Sequence, residues 1–168
     1  PDFSQIGPSI AKLEPQAVMV IGSGTAVVDA MKSLRDNGSS AQMLTLSNNA
    51  SSGFIKLLDS HASGVIVSQV LPQSPNYALV QEASSMAKAK NILDVSPAML
   101  EGFVSAKVLV EALRRAGPKP TRAKLQVALE SIKGFDLGGL NLSFSTTDHT
   151  GLDFADLSII TASGKFRR

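Results

Sequence analysis

Three short apolar runs in the first part of the chain are separated by segments with helical periodicity. The runs are Ala17–Ile21, Met43–Leu46 and Gly64–Val70, and the first of them is rich in β-branched residues. An apolar run without polar alternation is typical of a parallel strand that is covered on both faces. The order strand, helix, strand, helix, strand implies right-handed crossovers. The sequence therefore predicts an α/β fold with a parallel, Rossmann-like sheet and flanking helices.

Helical periodicity and turn residues place the remaining elements. Residues 25–36 carry an apolar face and stop at Asn37-Gly38, a pair that favours the left-handed end of a helix. Gly117-Pro118 and Gly134 end two later helices in the same way. Helices are predicted at residues 9–14, 25–36, 54–58, 76–89, 97–116 and 121–132, and further strands at residues 139–144 and 156–161.

Composition excludes several classes of protein. With 43% hydrophobic and 18% charged residues, the chain is globular rather than disordered. A net charge of +2, without clusters of basic and aromatic residues, argues against a nucleic-acid surface. No apolar run is long enough to insert into a membrane, and the chain has no cysteine for disulfides or thiolate metal sites.

The turn Gly22-Ser23-Gly24 between the first strand and the first long helix invites a nucleotide-binding interpretation. A dinucleotide fingerprint needs a third glycine three residues later and an acidic residue at the end of the next strand. Here those places hold Val27 and the pair Ser47-Asn48. The sequence therefore predicts no nucleotide cofactor, and a Rossmann-type nucleotide domain is the weaker alternative.

Residues for catalysis or metal binding do not form a recognisable set. The two histidines, His61 and His149, lie in predicted loops among polar neighbours, where a surface histidine is the simpler interpretation. No G-x-S-x-G elbow occurs, and no Asp, Glu and His cluster has metal-ligand spacing. The sequence predicts neither an enzyme nor a metal site.

Two polar loops follow the first two strands. In open parallel sheets, ligands collect where the carboxyl ends of the strands meet. The loops Ser23-Gly24-Thr25 and Ser47-Asn48-Asn49 are rich in hydroxyl and amide groups and lead into helix N-termini, which favour anions. They are predicted to bind a small polar or carboxylated molecule without transforming it. The alternative is that they are ordinary caps and turns.

The order of motifs resembles that of a known family. The motifs include Leu13–Gly24 (LEPQAVMVIGSG), Leu100–Gly117 (LEGFVSAKVLVEALRRAG) and Ala128–Gly139 (ALESIKGFDLGG). Shorter motifs lie at residues 2–4, 30–38, 62–67, 144–151 and 163–166. Together they resemble the C-terminal half of a type I periplasmic substrate-binding protein of the branched-chain amino acid (leucine/isoleucine/valine) transport group.

This resemblance implies a periplasmic protein of two lobes that closes on a small solute and delivers it to the membrane permease of an ABC importer. It implies that an N-terminal lobe precedes residue 1. Residues 1–71 would then form a sheet segment of the C-terminal lobe, and residues 72–150 would return to the N-terminal lobe. Residues 151–168 would form the last strand region of the C-terminal lobe. A sensor or receptor domain of the same fold is the alternative function.

The resemblance also implies which residues contact the ligand. Ser23 stands where amino-acid binders of the family place an aromatic residue. Ser47, next to Asn48, stands where they place a glutamate that pairs with the α-ammonium group, and Ala98 stands where an aromatic covers the ligand's side chain. Because a buried ammonium without a carboxylate is costly, the resemblance favours an aromatic carboxylate, an amide or a short organic acid.

Glu101 is the acidic residue that this interpretation places nearest to the ligand. It lies one helical turn beyond Ala98 on the same face. If its carboxylate faces the ligand, it supplies a cation partner and amino acids return as candidates. The alternative is a solvated charge on a helix surface.

Overall fold

A computed structural model describes residues 2–167. The chain forms two compact units. The first consists of the chain up to Gln69 together with the chain from Ala155 onward, and the second of Val70–Phe154. In chain order the elements are α1 (Ile6–Ala11), β1 (Ala17–Met19), α2 (Thr25–Asp36), β2 (Gln42–Thr45), α3 (Ser52–Leu58), β3 (Ile66–Gln69), α4 (Ala78–Lys88), α5 (Pro97–Ala116), α6 (Arg122–Glu130), β4 (Phe135–Asp136), β5 (Asn141–Leu142), β6 (Asp156–Ile160) and β7 (Phe166–Arg167).

The first unit is a five-stranded sheet with helices packed on one face. Its strand order is β1-β2-β3-β6-β7. Strands β1, β2 and β3 are parallel, as the sequence predicts, whereas β6 and β7 pair antiparallel. The α/β fold with a mostly parallel sheet is therefore confirmed.

Helix α2 supplies much of the core of the first unit. It spans the predicted residues, and its apolar face buries Val27, Met31 and Leu34 against Met43 of β2 and Val67 of β3. Burial of one such side chain contributes roughly 1.5–3 kcal/mol. Helix α3 begins at its cap Ser51, whose hydroxyl accepts a hydrogen bond from the backbone N–H of Phe54 at 3.1 Å.

The second unit packs helices α4, α5 and α6 with the β4–β5 hairpin. Its core contains Leu79, Leu100, Ile132 and Leu137, each fully buried. Helix α5 begins at its cap Ser96, whose hydroxyl accepts from the backbone N–H of Met99, with Pro97 in the first turn. Local capping signals of this kind explain why the predicted and observed bounds of α5 agree.

Two predicted elements differ in position or extent from the structure, while the others agree with it to within two residues at each end. The predicted helix at residues 9–14 lies instead at Ile6–Ala11. The predicted strand at residues 139–144 is reduced to Asn141–Leu142, because Gly138 and Gly139 have φ values of 101° and 102° and form a turn. The strand before this turn, Phe135–Asp136, is not predicted from the sequence. Alternation alone therefore overestimates the length of this strand.

The helices of the described residues are too short or too polar to cross a membrane.

Candidate functional site

Two loops of the first unit lie side by side at the carboxyl ends of β1 and β2. The side-chain amide of Asn48 donates to the carbonyl oxygen of Gly22 at 2.9 Å, and that of Asn49 donates to the same oxygen at 3.1 Å. In the opposite direction, the backbone N–H of Gly24 donates to the Asn49 side-chain oxygen at 3.3 Å. The structure therefore brings together Ser23, Gly24 and Thr25 with Ser47 and Asn48. We call these two loops, residues 20–25 and 46–49, the loop cluster.

Asn49 is the centre of the loop cluster; the sequence places it in the second polar loop but does not reveal that its side chain holds the two loops together. Its side chain is 3% exposed and donates to the hydroxyl of Thr45 at 3.0 Å. The Thr45 hydroxyl in turn donates to the carbonyl oxygen of Val20 at 2.9 Å. One amide thus connects the end of β1, the end of β2 and the first turn of α2. An asparagine can do this because it both donates and accepts.

The two glycines of the first loop have backbone and packing roles. Gly24 has φ 60° and ψ −139°, a conformation that is essentially restricted to glycine. A Cβ at Gly22 would lie 3.2 Å from the side chain of Val27. The N–H of Gly24 is directed to Asn49. Backbone geometry therefore explains the Gly22-Ser23-Gly24 turn without a phosphate ligand.

The exposed side chains of the loop cluster are uncharged, and all of them except Ile21 are polar. Ser23, Thr25 and Asn48 are exposed, whereas Ser47 is 9% exposed. The backbone N–H of Ser47 donates to the hydroxyl of Ser68 at 3.1 Å. Residues 20–25 and 46–51 contain no charged side chain. The loop cluster can therefore offer hydrogen bonds to a ligand but cannot neutralise an ammonium group.

The other two predicted site residues belong to the second unit. Ala98 is half-buried on the first turn of α5. Glu101, one turn later, lines a groove of about 680 Å³ between α5, the end of α6 and the segment after β5. The other lining residues are mainly apolar: Val70, Leu71, Val104, Val108, Leu109, Leu129, Leu142, Phe144, Leu152 and Phe154. Glu101 thus borders an apolar groove, and the predicted ligand contacts of Ala98 and Glu101 stay predictions.

Each histidine lies next to a carboxylate of its own unit. His61 Nε2 lies 3.7 Å from a carboxylate oxygen of Asp36, and His149 Nε2 lies 3.3 Å from one of Glu130. Within residues 2–167, no three histidine or acidic side chains come together in a way that could hold a metal ion. These contacts are those of surface histidines, and they do not assemble a catalytic group.

Three aspartates have lowered pKa values: Asp2, whose carboxylate accepts a hydrogen bond from the backbone N–H of Ser4, and two of the second unit that lie in or beside turns. The backbone N–H of Gly139, and then that of Gly138, donates to Asp136 and lowers its pKa. The hydroxyl of Thr150, followed by its backbone N–H, lowers the pKa of Asp148. Because both carboxylates stabilise tight turns, their pKa values have a structural explanation.

Comparison with known proteins gives a consistent result. A family model described as periplasmic binding protein matches residues 1–158. A substrate-binding periplasmic protein from Ralstonia solanacearum is 29% identical, with a TM-score of 0.76 over 97% of this chain and 49% of that chain. An extracellular ligand-binding receptor from Verminephrobacter eiseniae ef01-2 is 26% identical, with a TM-score of 0.80 over 99% of this chain and 48% of that chain.

A possible leucine/isoleucine/valine-binding protein from Rhodopirellula baltica SH 1 is also similar. It is 25% identical, with a TM-score of 0.78 over 94% of this chain and 44% of that chain. The chain spans about half the length of these solved relatives. No curated protein matches the chain significantly.

Proposed function

The chain belongs to the periplasmic binding protein family, and on that premise we propose that it is part of an extracellular solute-binding protein that delivers a small organic solute to an ABC importer. Its mixed α/β fold, with a mostly parallel sheet, is that of type I periplasmic binding proteins. The proposed full-length protein has two lobes, one of which precedes residue 1, and closes on its ligand by a hinge motion without transforming it. The proposed location is the periplasm, and the proposed membrane partner is the importer's permease.

The observation that carries this proposal is the loop cluster. It lies at the carboxyl ends of parallel strands, the usual ligand position in open α/β sheets. Its geometry is held by the buried amide of Asn49, so the exposed hydroxyls of Ser23 and Thr25 and the amide of Asn48 are presented from a fixed backbone. A preorganised polar site of this kind suits reversible binding.

The proposed ligand is an aromatic carboxylate, an amide or a short organic acid. The loop cluster holds no carboxylate, and Ser47 is buried with its N–H bonded to Ser68. An α-ammonium group would lose its hydration there without gaining a charged partner. A free amino acid becomes the better candidate only if Glu101 reaches the ligand in the full-length protein.

A ligand-sensing receptor domain is the second candidate function. The similar protein from Verminephrobacter eiseniae ef01-2 is described as an extracellular ligand-binding receptor. The two functions share the same binding step and differ in what the bound form contacts. An importer component stimulates the ATPase of its transporter when the solute is present, whereas a sensor has no such effect.

A thermal-shift screen of the full-length protein tests the proposal. Leucine, valine, benzoate, benzamide, butyrate and a nucleotide form the first panel. A ligand that binds only the folded state raises the Tm. We therefore expect benzoate, benzamide or butyrate, which have no ammonium group, to stabilise the protein. Stabilisation by the nucleotide, with no response to any other compound, would contradict solute binding.

A further inference from the structure

The corner between α5 and α6 concentrates positive charge in one short segment. Residues 114–124 contain no acidic side chain and five basic ones, all of them exposed: Arg114, Arg115, Lys119, Arg122 and Lys124. The chain has 16 basic and 14 acidic residues, so the remaining 11 basic and 14 acidic residues give the rest of it a net charge of −3. We call these five residues the basic patch. The small net charge of the whole chain therefore hides a strong local asymmetry.

The backbone holds this corner in a defined conformation. Helix α6 begins at its cap Thr121, whose hydroxyl accepts a hydrogen bond from the backbone N–H of Lys124 at 3.2 Å. Lys119 lies between two prolines, whose rings fix their own φ angles, and has a φ of 57°. The position of Lys119 is therefore set by the backbone rather than by a contact of its side chain.

The fold neutralises only one of the five cations. Arg115 Nε lies 2.8 Å from a carboxylate oxygen of Glu111, and its guanidinium donates to the carbonyl oxygen of Ser131 at 3.0 Å. Within residues 2–167, the other four side chains of the basic patch form no hydrogen bond and no ion pair. Their charges are therefore available to a partner outside the chain.

Two residues of the basic patch border an open groove of about 430 Å³. They are Arg115, which its contacts hold in place, and Lys124. The other lining residues are small or apolar: Ala116, Ala123, Val127, Ala128 and Ser131. Val127 is 67% exposed, so the groove has an accessible apolar surface. The groove therefore combines two cations with a small apolar area.

The composition of the corner distinguishes between three kinds of anionic partner. Single-stranded nucleic acids stack their bases on aromatic side chains, and residues 113–131 contain none. Protein interfaces are enriched in aromatic residues and methionine and depleted in lysine, whereas this segment has no methionine and two lysines. The headgroups of anionic phospholipids attract clustered Lys and Arg side chains by charge alone. The basic patch therefore fits an anionic lipid surface best.

We propose that the basic patch binds the phosphate headgroups of anionic phospholipids at the surface of a bilayer. The four free cations attract the surface, and one headgroup lies in the groove beside Arg115 and Lys124. Each basic side chain close to an anionic bilayer strengthens binding by about fivefold, so four suffice for peripheral binding without an inserted helix. This inference goes beyond solute binding, and only its setting rests on the proposed function: a protein held at the membrane meets its permease more often.

Flotation of the full-length protein with lipid vesicles tests the proposal. One kind of vesicle contains phosphatidylcholine alone, and the other contains equal amounts of phosphatidylcholine and phosphatidylglycerol. We expect at least about tenfold stronger binding to the phosphatidylglycerol vesicles at about 50 mM salt, and its loss at about 500 mM salt, because salt screens exposed charges. Equal binding to the two kinds of vesicle, or binding to neither, would overturn the proposal.

Charge reversal in the same protein locates the binding surface. The triple variant Lys119→Glu, Arg122→Glu and Lys124→Glu places acidic side chains at the N-terminus of α6, where the helix dipole favours them, so we expect it to fold. Its binding to phosphatidylglycerol vesicles is expected to fall at least about tenfold. Lys119→Glu alone changes only the connection before α6 and should lower binding by about fivefold or more.

A matched control separates the basic patch from the net charge of the protein. It changes to glutamate three exposed lysines that lie elsewhere: Lys12, Lys90 and Lys165. Its net charge equals that of the triple variant, but we expect it to lose less than about threefold in binding. Equal losses in the triple variant and the control would overturn the proposal.

Two soluble polyanions distinguish the partners. Weaker binding to a single-stranded oligonucleotide and to polyglutamate than to the phosphatidylglycerol vesicles, in the same buffer, supports a lipid surface. Tighter binding to either one would identify a nucleic acid or an acidic protein as the partner and overturn the proposal. The proposed function fails separately: vesicle binding without solute binding refutes the function alone, whereas solute binding without vesicle binding refutes this inference alone.

Discussion

Two glycine turns of the molecule are held by asparagine or aspartate side chains, but over different distances along the chain. In the first unit, the N–H of Gly24 donates to Asn49, 25 residues away. In the second unit, the N–H groups of Gly138 and Gly139 donate to Asp136, at 2.8 and 2.9 Å, within the same hairpin. The local turn shapes one hairpin, whereas the long-range one couples two strand ends. The long-range turn is therefore the one that can organise a ligand site.

The largest expected effect is on the local turn. Gly138→Ala places a Cβ 2.5 Å from the backbone N of Leu79, at φ 101°. Because backbone cannot move away as a side chain can, we expect a loss of about 3 kcal/mol or more in the free energy of unfolding. Urea unfolding of the chain measures it. Gly102→Ala is the matched control, since the added Cβ has open space on helix α5 and should be neutral or slightly stabilising.

Removal of the Asn49 side chain, which links the two loops, is expected to cause the second-largest loss of stability. Asn49→Ala leaves the carbonyl oxygen of Gly22, the N–H of Gly24 and the hydroxyl of Thr45 without this partner. We expect a loss of about 2–3 kcal/mol by urea unfolding, together with weaker solute binding in the full-length protein. Asn48→Ala, at an exposed neighbour with one bond to Gly22, should cost less than about 1 kcal/mol. Equal losses in the two variants would show that Asn49 does not hold the loops.

Gly24→Ala measures the cost of backbone strain in the long-range turn without a steric clash. A Cβ at Gly24 meets no atom within 4 Å, so the cost arises from φ 60° and ψ −139° alone. We expect a loss of about 1–2 kcal/mol, smaller than for Gly138→Ala. Thermal unfolding of the two variants side by side makes the comparison. A loss at Gly24 as large as at Gly138 would mean that backbone strain, rather than the contact with Leu79, dominates both.

The smallest expected effect is the acid sensitivity of the local turn. The N–H groups of Gly139 and Gly138 lower the pKa of Asp136 in the folded state. A folded-state pKa below the unfolded one stabilises the fold at neutral pH, and this contribution is lost as the pH falls through the lowered value, below 3.8. Asp136→Asn should therefore flatten the fall in Tm at acid pH. An unchanged acid profile would contradict this assignment.

The contrast between local and long-range contacts also explains which parts of the structure could be predicted from the sequence. Helices α2 and α5 are predicted at their observed bounds because their stop signals, Asn37-Gly38 and Gly117, lie within a few residues of the helix ends. The parallel order of β1, β2 and β3 follows from apolar runs and short crossovers. Signals of this kind are local, so they can be read without knowing the partners of each residue.

The sequence places Asn49 in a polar loop but does not predict its structural role, for the opposite reason. It is one of two adjacent asparagines, and it differs from Asn48 because it is buried. Its side chain bonds to Gly22, which is distant in sequence, and to Thr45 at the end of β2. In the antiparallel pairing of β6 with β3, Gln69 lies opposite Asp156, although the entire second unit separates these two residues in the sequence. Neither contact has a signal within a short window of sequence, so both required the structure.

The central claim is that the uncharged loop cluster binds a solute without an α-ammonium group, and matched ligand pairs test it most directly. Thermal shift of the full-length protein compares leucine with 4-methylpentanoate and phenylalanine with 3-phenylpropanoate. Within each pair the ligands differ only in the amino group. We predict that stabilisation comes from the amine-free member of a pair and is lost in Asn49→Ala. Stabilisation by the amino acid, with no response to its amine-free partner, would contradict the account.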